Sequence, residues 1–211
     1  MSGKYSLNEL EALAKKATRG AGYPWGLAED AVKATRWLCA RGIDGAAVLD
    51  GLLAATDAAD HGGMTPLVSA GGWSATAETL CPLITGAALS DRAGMLESQI
   101  TLRAVHSPAL LLYFLSCLSV AEMRPVSARW EDTSVTLRSD ETRATGKLTA
   151  QRADVTIKFD DAPGTALPDQ WRTDISAEVA ARLNALAHRT YAPATEESRR
   201  AGAGAGLSDN D

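Results

Sequence analysis

Residues Pro125 to Asp160, PVSARWEDTSVTLRSDETRATGKLTAQRADVTIKFD, carry the clearest period of two in the chain. Val126, Ala128 and Trp130 alternate with Ser127, Arg129 and Glu131; Val135 and Leu137 alternate with polar partners; Leu148 and Ala150 follow; Val155, Ile157 and Phe159 complete the set. Successive side chains of a strand point to opposite faces, so this spacing predicts four short strands. The Asp-, Thr- and Gly-containing breaks between them predict an antiparallel meander with one wet face.

The flanks supply the other layers. Gln99 to His106 alternates strictly, with Ile100, Leu102 and Ala104 on one face and Thr101, Arg103 and Val105 on the other, which predicts a further half-buried strand. Ser107-Pro108 is a good N-cap and N1 pair, so the Leu-rich run Ala109 to Glu122 is read as helix, with a buried strand as the alternative. From His61 onward, glycines and prolines interrupt any helical period until Pro82 to Leu89. After a linker containing Pro163, Gly164 and Pro168, Asp174 or Ser176 caps a last helix running to about Arg189, lined on one side by Ile175, Val179, Leu183 and Leu186.

The first sixty residues are helical. Ser6 and Glu9 form a capping box ahead of Leu7, Leu10, Leu13, Ala14 and Ala17, which share one face of a helix ending near Arg19. Gly20, Gly22, Pro24 and Gly26 supply a cap and a turn, and two further alanine-rich helices follow at Leu27 to Arg41 and about Asp44 to Ala59. The expected fold is α+β: a helical N-terminal part (1–60), a body (61–190) with an antiparallel sheet of four to six strands and a C-terminal helix, and a Gly/Ala tail (191–211), all in one compact domain.

Composition narrows the partners. With 211 residues, 45% hydrophobic and 22% charged, the chain is long enough to bury a core without metal or disulfide staples. A net charge of -5 with no Lys/Arg run speaks against nucleic acid. The longest apolar run, Ala109 to Ala121, is too short to cross a bilayer, and Met1 to Lys16 lacks the apolar core of a secretory signal, so no membrane partner is expected. Cys39, Cys81 and Cys117 are odd in number and set among apolar residues, which predicts buried, reduced thiols and a cytoplasmic location.

No stretch reproduces a metal, P-loop or nucleophile-elbow motif, so no metal site is expected and no cofactor is specified. His61-Gly62-Gly63 reads as a turn after the third helix. His106, at the end of a strand on its apolar-facing side, is the candidate acid or base, with a hydrogen-bonded structural role as the alternative. Cys81, ahead of Pro82 at a helix start, is read as a structural cysteine, with a lowered thiol pKa as the alternative. Tyr23 and Trp25 flank Pro24 at the start of the second helix; they either fill core or wall a pocket whose anion contact is that helix N-terminus. In the tail, Gly202, Gly204 and Gly206 let backbone approach a ligand closely. Arg199 beside Ser198 suits a carboxylate or phosphate, and Asp209 or Asp211 serves as acceptor or hard-cation ligand. The plain alternative is a solvated end.

Two patterns resemble a known family. Ser6 to Glu11, Arg19-Gly-Ala-Gly-Tyr-Pro-Trp-Gly-Leu-Ala-Glu29 and Trp37-Leu38, together with the tail Tyr191-x-Pro193, Ser198-Arg199 and the Gly-Ala-Gly-Ala-Gly-x-x-Asp-Asn-Asp end, are similar to an uncharacterised proteobacterial domain-of-unknown-function family. The resemblance at both ends implies a whole protein and a tail that belongs to the family pattern; it implies no activity. The expected function is a cytoplasmic small-molecule-binding or accessory protein of bacterial metabolism, as a homo-oligomer or with a partner protein. The alternative is an enzyme acting on a small anionic metabolite through the Tyr23/Trp25 loop, His106 and the tail.

Overall fold

The computed structural model of the chain describes residues 2–70 and 72–191. Its elements are β1 (Ser2–Ser6), α1 (Leu7–Gly20), α2 (Trp25–Ala40), α3 (Gly45–Thr56), α4 (Pro82–Asp91), β2 (Gln99–His106), α5 (Leu111–Ala121), β3 (Val126–Trp130), β4 (Thr133–Leu137), β5 (Thr142–Thr145), β6 (Arg152–Lys158), β7 (Thr165–Ala166), β8 (Arg172–Ser176) and α6 (Ala177–His188). The class is α+β as expected: N-terminal helices, a six-stranded antiparallel sheet and a C-terminal helix.

The sheet is not the simple meander the spacing suggested. Its order is β2-β6-β3-β4-β5-β7, so β3, β4 and β5 do follow one another, but β6 crosses back to pair with both β2 and β3. Leu148 and Ala150 lie outside any strand, and the third strand of the run is Thr142–Thr145. The wet face is also partly covered at β3 and β4, where Ser127 and its cross-strand partner Thr136 are buried, while Thr133, opposite Trp130, is a buried hydroxyl on the apolar face. Thr133 Oγ1 donates to the Lys147 carbonyl at 2.7 Å, and Thr136 Oγ1 exchanges hydrogen bonds with Ala162 at 3.0 and 3.1 Å. The loop after β6 thus lies over the wet face and the loop after β5 reaches the sheet's other side, and hydroxyls satisfy the buried backbone at both.

β2 occupies the expected residues but not the expected faces. A register shift between Leu102 and Val105 places Ala104 at φ +48° and turns Val105 into the core. One inserted residue moves every later side chain to the opposite face, so His106 does not share the face of Ile100 and Leu102.

β1, β7 and β8 were not visible as strands. β1 and β8 form a separate antiparallel pair, from Ser2↔Ser176 to Ser6↔Arg172. Each runs straight into a helix capped by its own last serine. Ser6 closes the capping box with Glu9 on α1, and Ser176 Oγ accepts from the Val179 amide on α6 at 3.2 Å. Ile175 therefore belongs to a strand and not to the helix stripe. The pairing sets α1 and α6 side by side.

One apolar cluster links Leu10 of α1 and Leu183 of α6 to Leu118 of α5 and Val135 of β4. α5 lies between the layers, touching α2 on one side and β3 and β4 on the other. Gly86 of α4 has no room for a side chain because the Phe114 ring of α5 fills the space. Cys39 and Cys81 are buried as expected, whereas Cys117 is exposed: it faces away from the α5 stripe of Leu111, Phe114, Leu115 and Leu118. Among the described residues no helix is long and apolar enough to cross a membrane.

Candidate functional site

On α1, Lys15, Lys16 and Arg19 project from the side opposite the buried Leu10, Ala14 and Ala17. α6 packs beside α1 and ends at His188, so the residues that follow, Arg189 to Tyr191, come to lie against those cations. Trp25 is the first residue of α2. Together these groups line a groove of about 730 Å³.

Its rings and charges are closely engaged. The Arg19 guanidinium carbon is 4.8 Å and the Lys15 Nζ 5.3 Å from the Trp25 ring centre, both within cation–π range. Lys16 Nζ lies 5.2 Å from the Tyr191 ring centre and donates to its hydroxyl at 3.3 Å. Lys15 is ion-paired with Glu29 at 3.1 Å, and Arg189 is held by Asp57 through bonds of 2.6 and 2.9 Å. Among the described residues Lys16 and Arg19 have no carboxylate within 4 Å. Arg19 is fixed instead by donating to the Tyr23 carbonyl. Trp25 is 62% and Tyr191 51% exposed.

Pro24 separates the two aromatics of the turn. Tyr23 is fully buried, its hydroxyl 2.8 Å from Thr56 Oγ1 and 3.6 Å from Cys81 Sγ, its ring 3.9 Å from that of His61. Burial, then the nearby Cys81, pushes its phenol far above the ordinary value. Of the glycines around the turn only Gly22 adopts a positive φ, +94°. Gly20 is small for another reason, close packing against α6. The N-terminus of α2 carries no side-chain cap, and a Cβ at Gly26 would meet nothing within 4 Å, so that helix end opens to solvent beside the groove.

The remaining sequence candidates lie elsewhere. His106 lines a different cleft, with Ser107 and Arg152, that shares no residue with the Trp25 groove. Burial, reinforced by the Arg152 cation, holds its imidazole below the ordinary value of 6.5. Cys81 is the structural, buried thiol and not the activated one. Although the amides of Leu83 and Ile84 at the start of α4 favour a thiolate, burial outweighs them and raises the thiol. His61-Gly62-Gly63 is the expected turn, a 3-10 segment capped by Asp60 at 2.9 Å from the Gly62 amide. Ser198, Arg199, Gly202, Gly204, Gly206, Asp209 and Asp211 lie outside the described residues. Among the described residues no three His, Cys, Asp or Glu side chains gather to hold a metal.

Lys15, Lys16 and Arg19 were passed over in the sequence. Their signal was three cations on the polar side of one helix, just ahead of the Tyr23–Trp25 turn, but nothing local tied them to Tyr191.

Residues 5–81 match a family described as "Protein of unknown function (DUF3726)". The match spans α1 to α3 and the Tyr23–Trp25 turn, and so takes in the α1 and α2 side of the groove but not Tyr191. No curated protein and no solved structure matches the chain.

Proposed function

We propose that this is a small-molecule-binding protein whose ligand joins an anionic group to a flat ring, held in the groove between α1, the start of α2 and the end of α6. The observation that carries the reading is Trp25: a 62% exposed indole with a guanidinium and an ammonium within 5.3 Å of its ring centre. Large rings left in water are costly to keep exposed and are a common anchor of binding sites. Lys16 and Arg19 offer charge to a carboxylate or phosphate, and Trp25 and Tyr191 offer faces to a ring.

Tyr191 is both a groove wall and the last described residue before the tail. On this reading the tail, whose pattern we take to belong to the family, begins at the site. Ser198 and Arg199 add polar contacts, the amides of Gly202, Gly204 and Gly206 approach the ligand, and Asp209 and Asp211 accept hydrogen bonds from it. The enzymatic alternative has less support, because Trp25 and His106 open into different clefts. A reducing, cytoplasmic setting in bacterial metabolism suits the three free thiols.

The test is a thermal-shift and calorimetric comparison of aromatic carboxylates and phosphates with their uncharged isosteres. Anionic members should stabilise the protein, by about 2.7 kcal/mol at 100 times Kd. Trp25→Ala and the Lys16→Gln/Arg19→Gln pair should each abolish most of that shift. A panel in which charge makes no difference, or a Trp25→Ala protein that responds like wild type, would count against the proposal.

A further inference from the structure

At the junction of β2 and α5, the chain leaves the strand through Ser107 and enters a short helical turn at Pro108. A serine in this place normally holds an extended conformation and caps the helix with its hydroxyl. Ser107 instead adopts φ +40° and ψ +60°, and its side chain makes no capping bond. It is 5% exposed, and its Oγ has no hydrogen-bond partner among the described residues. That hydroxyl faces a cleft of about 510 Å³, whose other wall is the small-residue face Gly51, Ala54 and Ala55 of α3. A Cβ built on Gly51 would lie 3.9 Å from the Ser107 Oγ.

Two more polar groups open into the same cleft. His106 and Arg152 stand directly opposite each other across the β2–β6 ladder, which sets imidazole and guanidinium side by side on one face. Arg152 donates to the Glu78 carbonyl at 3.3 Å and has no carboxylate within 4 Å among the described residues. Asp154, two residues along the strand, is taken by Arg103 and the Ala104 amide, both at 2.8 Å. The cleft therefore holds a cation with no carboxylate partner, a free hydroxyl that opens into it from a residue otherwise buried, a histidine beside the cation, and an aliphatic wall of minimal side chains.

We infer that this cleft is a second binding site, separate from the Trp25 groove, for the carboxylate of a short aliphatic acid. A planar guanidinium matches a carboxylate through paired hydrogen bonds. The Ser107 hydroxyl supplies a further donor that folding has left free. A single cation balances a monoanion better than a phosphate dianion, and Gly51, Ala54 and Ala55 leave room for a short alkyl chain against methyl groups. His106, one side of whose imidazole faces the Gln151 carbonyl, offers its other ring nitrogen to a polar substituent on that chain.

The full chain, labelled with 15N, is titrated with sodium butyrate, sodium acetate and inorganic phosphate at constant ionic strength and followed by amide NMR shifts. Butyrate should move the amides of Gly51, Ser107 and Arg152 along one saturable curve, more tightly than acetate, with phosphate the weakest. Arg152→Gln should weaken butyrate by about tenfold or more and Ser107→Ala by severalfold. Both folds are checked by the unchanged dispersion of the remaining resonances. Lys16→Gln/Arg19→Gln should leave the butyrate curve where it was. Unmoved Gly51 and Ser107 amides, an Arg152→Gln protein that titrates like wild type, or phosphate binding as well as butyrate would each overturn the assignment.

Discussion

Gly20 of α1 lies so close to Leu186 of α6 that a Cβ built at residue 20 would stand 1.8 Å from the Leu186 carbonyl oxygen. By helix propensity alone Gly20→Ala would be favourable by about 1 kcal/mol. The contact reverses that sign. Gly20→Ala is expected to lose about 1–3 kcal/mol in chemical denaturation. It should also part α6 from α1 and with it the Lys16–Tyr191 contact, read as a change in Tyr191 ring shifts. A stabilised Gly20→Ala protein would show that the two helices do not approach this closely.

Trp25 is exposed, so its role is separable from the core. Trp25→Ala should cost well under the roughly 3–5 kcal/mol of a packed tryptophan. Tyr23→Ala, by contrast, removes a fully buried ring and its bond to Thr56 and should cost several kcal/mol. Equal losses for the two, measured by urea unfolding, would return Trp25 to a structural role.

His106 links stability to pH. Its imidazole is held below 6.5 by burial and Arg152, so the folded chain binds fewer protons there than the unfolded chain. This group leaves stability unchanged above about pH 6.5, subtracts from it as pH falls below that value, and adds no further loss once pH is under the folded pKa. His106→Gln should flatten that part of the stability profile. A His106 ring resonance titrating above 6.5 would contradict the sign.

The three thiols should separate by access. Cys117 is exposed, while Cys39 and Cys81 are buried and raised by that burial. The native protein is expected to show one rapidly modified thiol with a disulfide reagent, abolished by Cys117→Ser. The other two should react only as fast as the protein opens. Rapid labelling of Cys81 would reverse the balance argued between burial and the α4 amides.

Deleting residues 202–211 removes little apolar side chain beyond Leu207 and two alanine methyls. Stability should change by less than about 0.5 kcal/mol, while affinity for the anionic ligand proposed for the groove should fall. Unchanged affinity in calorimetry would leave the tail outside the site.

Much of the local structure was legible because it is written in local chemistry. The Ser6–Glu9 box, the strand at Gln99–His106 and the Ser176 cap each depend on residues a few positions apart, and each formed at the expected residues, although the bulge at Ala104 broke the strand's alternation. The site was less legible. Trp25 stands exposed at the start of α2, but Tyr23, two residues away, points into the core, and no spacing distinguishes the two. Ser107 carried a helix-cap signature and does not cap, because the strand bulge at Ala104 and the entry into Pro108 set its backbone left-handed.

What the sequence determined by itself is therefore the helices, most of the longer strands and the caps at Ser6 and Ser176, since a helical or strand period records which side of a segment must leave water. It did not record which surface covers that side. The insertion of β6 between β2 and β3, the pairing of β1 with β8, and the contact of Lys16 with Tyr191 across 175 residues were decided only when distant faces competed for burial. Glycines at positions 20 and 86 then let the winning surfaces close to backbone and ring distance, and the groove on one side of α1 is a product of that closure.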